Sequence, residues 1–143
     1  THIQVRGPVP DPRPYFRMCD VVINSRAGAE PFGLTVVEAM LMERPVLAYG
    51  VGGPAETVAD NRTGWLIAEA SVRGYRAGLE RVLADAARWT AMGRCARERA
   101  LRRFTVQRTT ADYLAIVSRD PAVARQGVPS LAERRPQSDT APS

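Results

Sequence analysis

Two glutamates with potential binding chemistry stand eight residues apart in the stretch GAEPFGLTVVEAM. Glu30 lies among Gly and Pro residues, whereas Glu38 lies in the apolar run that follows, which has helical spacing. A carboxylate accepts hydrogen bonds from hydroxyl groups, so the pair can hold a sugar. The start of the helix, around Gly33, adds backbone N–H groups that have no partner within the helix and that attract an anion. The stretch therefore predicts a site for an oxygen-rich ligand.

Plainer explanations fit the same residues. Glu30 can help to cap the helix, and Glu38 can simply face solvent, as helical glutamates commonly do. A glycosidase pair of carboxylates is a further alternative. It fits less well, because one carboxylate stands inside a helix beside an anion-binding terminus. The residues alone leave these alternatives open.

The composition is that of a globular domain. The chain has 143 residues, of which 45% are hydrophobic and 24% are charged, and its formal net charge is +5. This length suits one domain or part of one. Cys19 and Cys95 lie far apart and suggest neither a disulfide framework nor a zinc site, so we expect a reducing, cytoplasmic setting. No apolar run reaches the roughly 20 residues that cross a bilayer.

The order of apolar runs predicts an α/β fold. Short β-prone runs at residues 2–5, 21–24, 46–49 and 65–67 alternate with helical patterns at 15–19, 34–43 and 55–59. Helices are predicted over 72–84, 86–103 and 106–117, and the Pro- and Ser-rich tail from 120 to 143 is expected to be disordered. Alternating strands and helices favour a parallel sheet. The loops 28–33 and 50–54 then lie at its carboxyl edge, where ligands bind.

Several motifs resemble one enzyme family. EPFGLTVVE resembles the E-x7-E signature of retaining GT-B glycosyltransferases, and EPFGLTVVEAM resembles glycosyltransferase family 4, the group 1 glycosyl transferases. CDVVINS, ERPVLAYGVGGPAETV and NRTGWLI resemble its neighbouring segments, in order, over residues 3–117. The resemblance implies that residues 1–119 form a partial Rossmann-like parallel sheet followed by C-terminal helices, the C-terminal half of a GT-B fold. It also implies transfer of a hexose from a UDP- or GDP-sugar to an acceptor hydroxyl with retention of configuration.

The resemblance assigns roles to individual residues. Glu38 would bind the ribose hydroxyls, and Glu30, the implied catalytic residue, would bind and orient the donor sugar. Backbone amides at the start of the helix would meet the sugar and the diphosphate. The implied substrate-binding residues are Glu30, Phe32, Gly33, Leu34, Thr35 and Glu38. No metal or cofactor is implied, since there is no Asp-x-Asp motif.

The chain departs from the family pattern in two ways. Arg44 stands where the family usually has Gly, so we expect the helix before it to end differently. The family domain normally opens with a Gly-Arg…Lys-Gly stretch whose cations neutralise the diphosphate, and the 143 residues contain neither this stretch nor an N-terminal acceptor-binding domain. We therefore expect a donor-binding fragment that is inactive alone. Its partners would be the missing domain and an acceptor sugar or lipid-linked glycan.

Three other readings remain. GVGGPA fits the dinucleotide pattern G-x-G-x-x-A, but Pro54 and the short helix after it weaken this match. A non-catalytic domain that binds a nucleotide sugar or a protein partner is the second. The third concerns a basic stretch of the chain. This stretch predicts either a solvated helix face or peripheral contact with the inner membrane face. It does not predict nucleic-acid binding, because it lacks interleaved aromatic residues. Its arginines are Arg94, Arg97, Arg99, Arg102 and Arg103.

Overall fold

The computed structural model describes residues 2–28 and 30–118. The chain divides into two compact units, Thr1–Thr105 and Val106–Ser143. The first unit contains α1 (Arg13–Met18), β1 (Val22–Asn24), α2 (Leu34–Leu41), β2 (Val46–Tyr49), α3 (Gly53–Thr57), β3 (Gly64–Ile67), α4 (Val72–Ala84), a 3-10 turn (Ala86–Arg88) and α5 (Trp89–Arg103). The described part of the second unit is α6 (Val106–Val117).

The three strands form one parallel sheet in the order β1-β2-β3. Val22 pairs with Val46, and Val46 pairs with Gly64, so the carboxyl ends of all three strands reach the same edge. Every residue of the central strand β2 is buried. A strand covered on both faces by helices needs such a continuous apolar run. The predicted α/β class with a parallel sheet is confirmed.

The core lies on both faces of the sheet. Val46 and Ala48 of β2 belong to a cluster with α2 and with the small residues of α5, whereas Leu47 and Tyr49 belong to a second cluster with β3 and α4. The alternation follows from the two-residue period of a strand. Trp65 of β3 is fully buried, and its indole N–H donates to Asp85 at 2.8 Å. This bond joins the sheet to the end of α4.

One predicted strand is wrong and several predicted helix boundaries are shifted, since α1 spans Arg13–Met18 and the helix predicted from residue 86 begins as a 3-10 turn. Residues 2–5 form no strand, and the side chains of Ile3 and Val5 are 79% and 90% exposed. A strand is stable only when a neighbouring strand takes up its backbone groups, and residues 2–5 pair with none of the described strands. The helix predicted over 34–43 ends at Leu41, and α3 begins at Gly53 with Pro54 in its first turn. The tail expected from residue 120 lies outside the described residues.

A left-handed turn ends α2 and leads the chain toward β2. Glu43, not Arg44, has the left-handed backbone, with φ 59°. The amide of Glu43 donates to Met40 O and the amide of Arg44 donates to Ala39 O, both at 3.0 Å. These two bonds define a Schellman motif, in which the residue after the helix cap turns left-handed. The chain therefore reaches β2 without a glycine at this turn.

Candidate functional site

The loops that follow β1 and β2 meet at the carboxyl edge of the sheet. Glu30 and Gly52 form an isolated parallel bridge, and the carbonyl oxygen of Glu30 accepts a hydrogen bond from the Gly53 amide at 2.7 Å. Their strands are direct neighbours, so the two loops leave the sheet side by side. The prediction that the loops lie together is confirmed.

Two glycines of the second loop, Gly52 and Gly53, are required by packing. Gly52 has φ 63° and ψ −144°, a region nearly closed to residues with a side chain. A Cβ on Gly52 would overlap the carbonyl oxygen of Glu30, and a Cβ on Gly53 would overlap the backbone of Phe32. The Gly53 amide is already bonded to Glu30, so it is not free for a pyrophosphate. The GVGGPA segment therefore forms a tight turn that packs against the first loop, which disfavours the interpretation that it binds a dinucleotide.

The start of α2 presents free backbone donors. Gly33 is the N-cap residue with φ 81°, and its carbonyl accepts from the amides of Val36 and Val37 at 2.9 and 3.2 Å. The amides of Leu34 and Thr35 have no acceptor in residues 2–28 and 30–118, and the first turn carries no acidic side chain. Such a terminus carries partial positive charge and attracts an anion.

The side chain of Glu30 lies against this terminus without capping it. Its Cγ is 3.4 Å from the position that a Cβ on Gly33 would occupy, and no side chain of the described residues caps α2. Its carboxylate forms an ion pair with Arg26, with Oε2 3.5 Å from Nη1. Glu30 therefore does not cap α2, as the alternative explanation required. Sequence reasoning missed Arg26, although it stands four residues before Glu30 in the same loop.

Phe32 fixes the loop through its ring. The ring meets that of Phe104 edge to face, with 5.9 Å between the ring centres. This contact joins the first loop to the end of α5. Phe32 and Leu34 remain 43% and 67% exposed. The contact between the two rings thus holds the backbone of the first loop, while the start of α2 stays exposed to solvent.

Glu38 occupies a different place from Glu30. It is exposed and borders an open depression of about 220 Å³, lined also by Leu41, Met42 and residues 11–13. Arg13 donates to both carboxylate oxygens of Asp11, at 2.8 and 2.9 Å. These bonds hold the pKa of Asp11 below its usual value. Glu30 does not line this depression, so the two glutamates face different regions of the surface.

In residues 2–28 and 30–118, no three His, Cys, Asp or Glu side chains gather as metal ligands would. Within the same ranges, no helix combines the length and the apolar character that crossing a membrane requires.

Fold and site together define the class of protein. A parallel sheet covered by helices, with an open helix start at its carboxyl edge, is the Rossmann-like α/β arrangement of GT-B glycosyltransferases. Residues 1–99 match the family model for glycosyl transferases group 1. The chain belongs to this family.

Individual relatives support the same placement. D-inositol 3-phosphate glycosyltransferase of Gordonia bronchialis is 38% identical over 108 residues, which is 72% of this chain and 23% of that protein. The structure of Anabaena HepE in complex with UDP-glucose has a TM-score of 0.62 and 28% identity, covering 71% of this chain and 29% of that one. A Rickettsia africae glycosyltransferase has a TM-score of 0.69 over 87% of this chain and 32% of that one, at 21% identity, and shares the fold. The chain spans less than a quarter of the first curated relatives, 23% and 22%.

Proposed function

We propose that this chain binds the donor of a glycosyltransferase that moves a hexose from a UDP- or GDP-sugar to an acceptor hydroxyl with retention of configuration. One observation carries the proposal. The unpartnered amides of Leu34 and Thr35 open at the carboxyl edge of the sheet, directly beside the side chain of Glu30. The acceptor would be a sugar or a lipid-linked glycan, handled at the cytoplasmic face of the inner membrane.

The start of α2 would hold the diphosphate. The Leu34 and Thr35 amides donate to its oxygens, and the helix terminus adds partial positive charge. Negative charge grows on the diphosphate as the bond to the sugar breaks. Donors that are already fixed in place stabilise this charge without having to reorganise, which lowers the barrier. Gly33 itself adds no side chain at this terminus.

Glu30 would orient the sugar. Its main chain is held by the Gly53 amide and its side chain lies against Gly33, so the residue that carries the carboxylate is fixed beside the proposed diphosphate site. Hydroxyl groups of the sugar would donate to it and compete with Arg26, whose ion pair with Glu30 is long at 3.5 Å. Binding energy is thereby used to hold the sugar in the correct orientation relative to the acceptor.

Glu38 would bind the ribose. It stands one turn further along α2 than the diphosphate site, which matches the order of groups in a nucleotide sugar. Its exposed carboxylate can accept from two neighbouring hydroxyls. The adjoining depression of about 220 Å³ has room for part of a nucleoside. The UDP-glucose complex of HepE supports a nucleotide sugar as the ligand class.

Calorimetric titration of the whole chain with UDP, GDP, UDP-glucose and GDP-mannose tests the proposal. Glu38→Gln should weaken nucleotide binding by about tenfold, since it loses charge-assisted hydrogen bonds to the ribose. Leu34→Asp should abolish it, because the new carboxylate repels the diphosphate. The same change favours the helix dipole, so the melting temperature should not fall.

Thr90→Asp is the matched control for Leu34→Asp. Thr90 is exposed in the first turn of α5 and lies beside Asp20 and Arg44, which precede β1 and β2, so it receives the new charge near a helix start at the opposite edge of the sheet from the site. Binding should survive this change. Equal loss of binding in both variants would contradict the proposal, as would a well-folded wild type that binds none of the four ligands.

A further inference from the structure

Arginines gather where α5 passes the end of α3. Arg62, Arg99 and Arg102 line one small cleft of about 30 Å³, together with Ala59, Thr63, Cys95 and Glu98. Arg62 comes from the turn before β3, whereas the other two come from α5. Arg103 lies close enough to act on Arg99 electrostatically. The fold thus brings Arg62 next to cations of α5 that are 37 or more positions away in the sequence.

Arg99 is the fixed member of this cluster. Its Nε donates to Thr57 O and its Nη2 donates to Glu56 O, both at 2.7 Å, which satisfies the last carbonyls of α3. Its Nη1 has no acceptor in the part of the chain that the structure describes. Burial, followed by the like charges of Arg103, Arg102 and Arg62, lowers the pKa of Arg99. The cation is therefore held in place among charges that repel it.

The other two arginines lack counter-charges. Within residues 2–28 and 30–118, neither Arg62 nor Arg102 forms an ion pair or a side-chain hydrogen bond. Glu98 lines the same cleft but pairs with neither of them there. By contrast, Arg76, Arg81 and Arg88 are each paired with a carboxylate. The cleft carries an excess of positive charge that its own residues do not neutralise.

We propose that this cleft binds a phosphate-type oxyanion. Guanidinium groups present planar, paired donors that match phosphate oxygens. Arg99 would form the rigid floor through Nη1, and the exposed side chains of Arg62 and Arg102 would close over the ligand. The cleft is too small for a whole ligand, so it would take one or two oxygens of a phosphate held at its mouth.

This anion site is separate from the proposed donor site. Gly53, at the start of α3, contacts the loop of Glu30 and Phe32, whereas Arg99 binds the other end of the same helix. The inference therefore does not depend on the proposed function. The phosphate could belong to a small soluble molecule or to a lipid headgroup, since both present the same oxygens.

Titration of the whole chain with inorganic phosphate, followed by the ¹⁵Nε resonance of Arg99, tests the site. The double variant Arg62→Gln/Arg102→Gln should weaken binding at least about tenfold, because it removes two charged donors. Arg73→Gln/Arg94→Gln is the matched control, since it removes the same charge from two exposed arginines of α4 and α5 that do not line the cleft. Leu34→Asp should leave the phosphate response of the Arg99 resonance unchanged, since Leu34 does not line the cleft. Equal weakening in both double variants, or no saturable binding by the wild type, would overturn the proposal.

The melting temperature gives a second and independent readout. Arg62→Gln/Arg102→Gln should raise it in the absence of phosphate, because it removes repulsion from Arg99 and breaks no hydrogen bond. Phosphate should then stabilise the wild type more than the variant. If the double variant instead melted below the control variant, the two arginines would be structural and the proposal would fail.

Co-sedimentation with vesicles separates the two sources of phosphate. Phosphatidylglycerol vesicles should capture the wild type and the control variant, but not Arg62→Gln/Arg102→Gln, if the phosphate belongs to a lipid. Phosphatidylcholine vesicles provide the uncharged background. Phosphate binding without vesicle capture supports a small soluble ligand, whereas failure of both assays excludes the site.

Discussion

The carbonyl oxygen of Glu30 accepts a 2.7 Å hydrogen bond from the amide of Gly53. This bond joins the loops that follow β1 and β2, and it places the side chain of Glu30 beside the start of α2. It also uses an amide of the glycine loop that a ligand would otherwise be able to bind. The two loops are therefore one packed unit, in which the second loop holds the first in position.

Gly52→Ala should unfold or strongly destabilise the protein. The new Cβ would overlap the carbonyl oxygen of Glu30, and alanine would have to adopt the φ of 63°. We expect a loss of more than about 3 kcal/mol in the free energy of unfolding, measured by urea denaturation. Gly7→Ala is the control, since no atom in the part of the chain that the structure describes lies within 4 Å of its added Cβ. A Gly52→Ala variant as stable as the Gly7→Ala variant would show that the two loops are not packed as described.

Glu43→Gly should stabilise the protein. Glu43 has φ 59°, a conformation that costs a non-glycine residue about 1–2 kcal/mol. The ion pair that the change removes is weak, since Arg97 Nε lies 3.8 Å from the Glu43 carboxylate and both side chains are about half exposed. We expect a gain of about 0.5–1 kcal/mol in the free energy of unfolding, offset in part by the greater freedom of glycine in the unfolded chain.

Arg44→Gly is the comparison for this prediction. Arg44 does not have the left-handed backbone, and its Nη2 donates to Arg17 O at 3.1 Å. This substitution should lower the melting temperature. If it were instead the stabilising one of the two, the Schellman motif would be centred on the wrong residue.

Arg99→Gln should destabilise the first unit. It removes two hydrogen bonds to the carbonyls of Glu56 and Thr57, and glutamine is too short to replace both. We expect a cost of about 1–3 kcal/mol in urea denaturation. Arg94→Gln, on the same helix but exposed and outside this contact, should cost less than about 0.5 kcal/mol. Equal losses of stability in the two variants would mean that Arg99 does not cap α3.

Asp85→Asn should change how stability depends on pH. The indole N–H of Trp65, followed by Arg88, stabilises the ionised carboxylate and lowers the pKa of Asp85 despite some desolvation. A carboxyl whose pKa is lower in the folded state contributes stability above its unfolded pKa of about 3.9 and loses it as the pH falls through the folded value. At pH 7 the wild type should therefore unfold at a higher urea concentration than Asp85→Asn. This difference in midpoint should shrink below about pH 4. A difference that stayed constant down to pH 3 would contradict this account.

Two of the five arginines in the basic stretch on α5 hold other helices in place. Arg97 donates to Leu41 O at 2.6 Å and Arg99 holds the end of α3. The sequence predicted either a solvated face or membrane contact for all five arginines. It could not distinguish them, because the carbonyls that two of them bind belong to helices more than 40 residues away.

The sequence by itself determined the α/β class, the parallel sheet, the place of the two loops at its carboxyl edge and the family. Local patterns carry this information, since the runs at β1, β2 and β3 and the spacing in α2 each reflect which residues must be buried. Tertiary structure alone decided that residues 2–5 form no strand, that Glu43 turns left-handed, and that Glu30 pairs with Arg26 while Glu38 borders a separate depression. Each of these depends on which distant backbone group or charge lies alongside, and pairing partners are fixed only when the whole chain has packed.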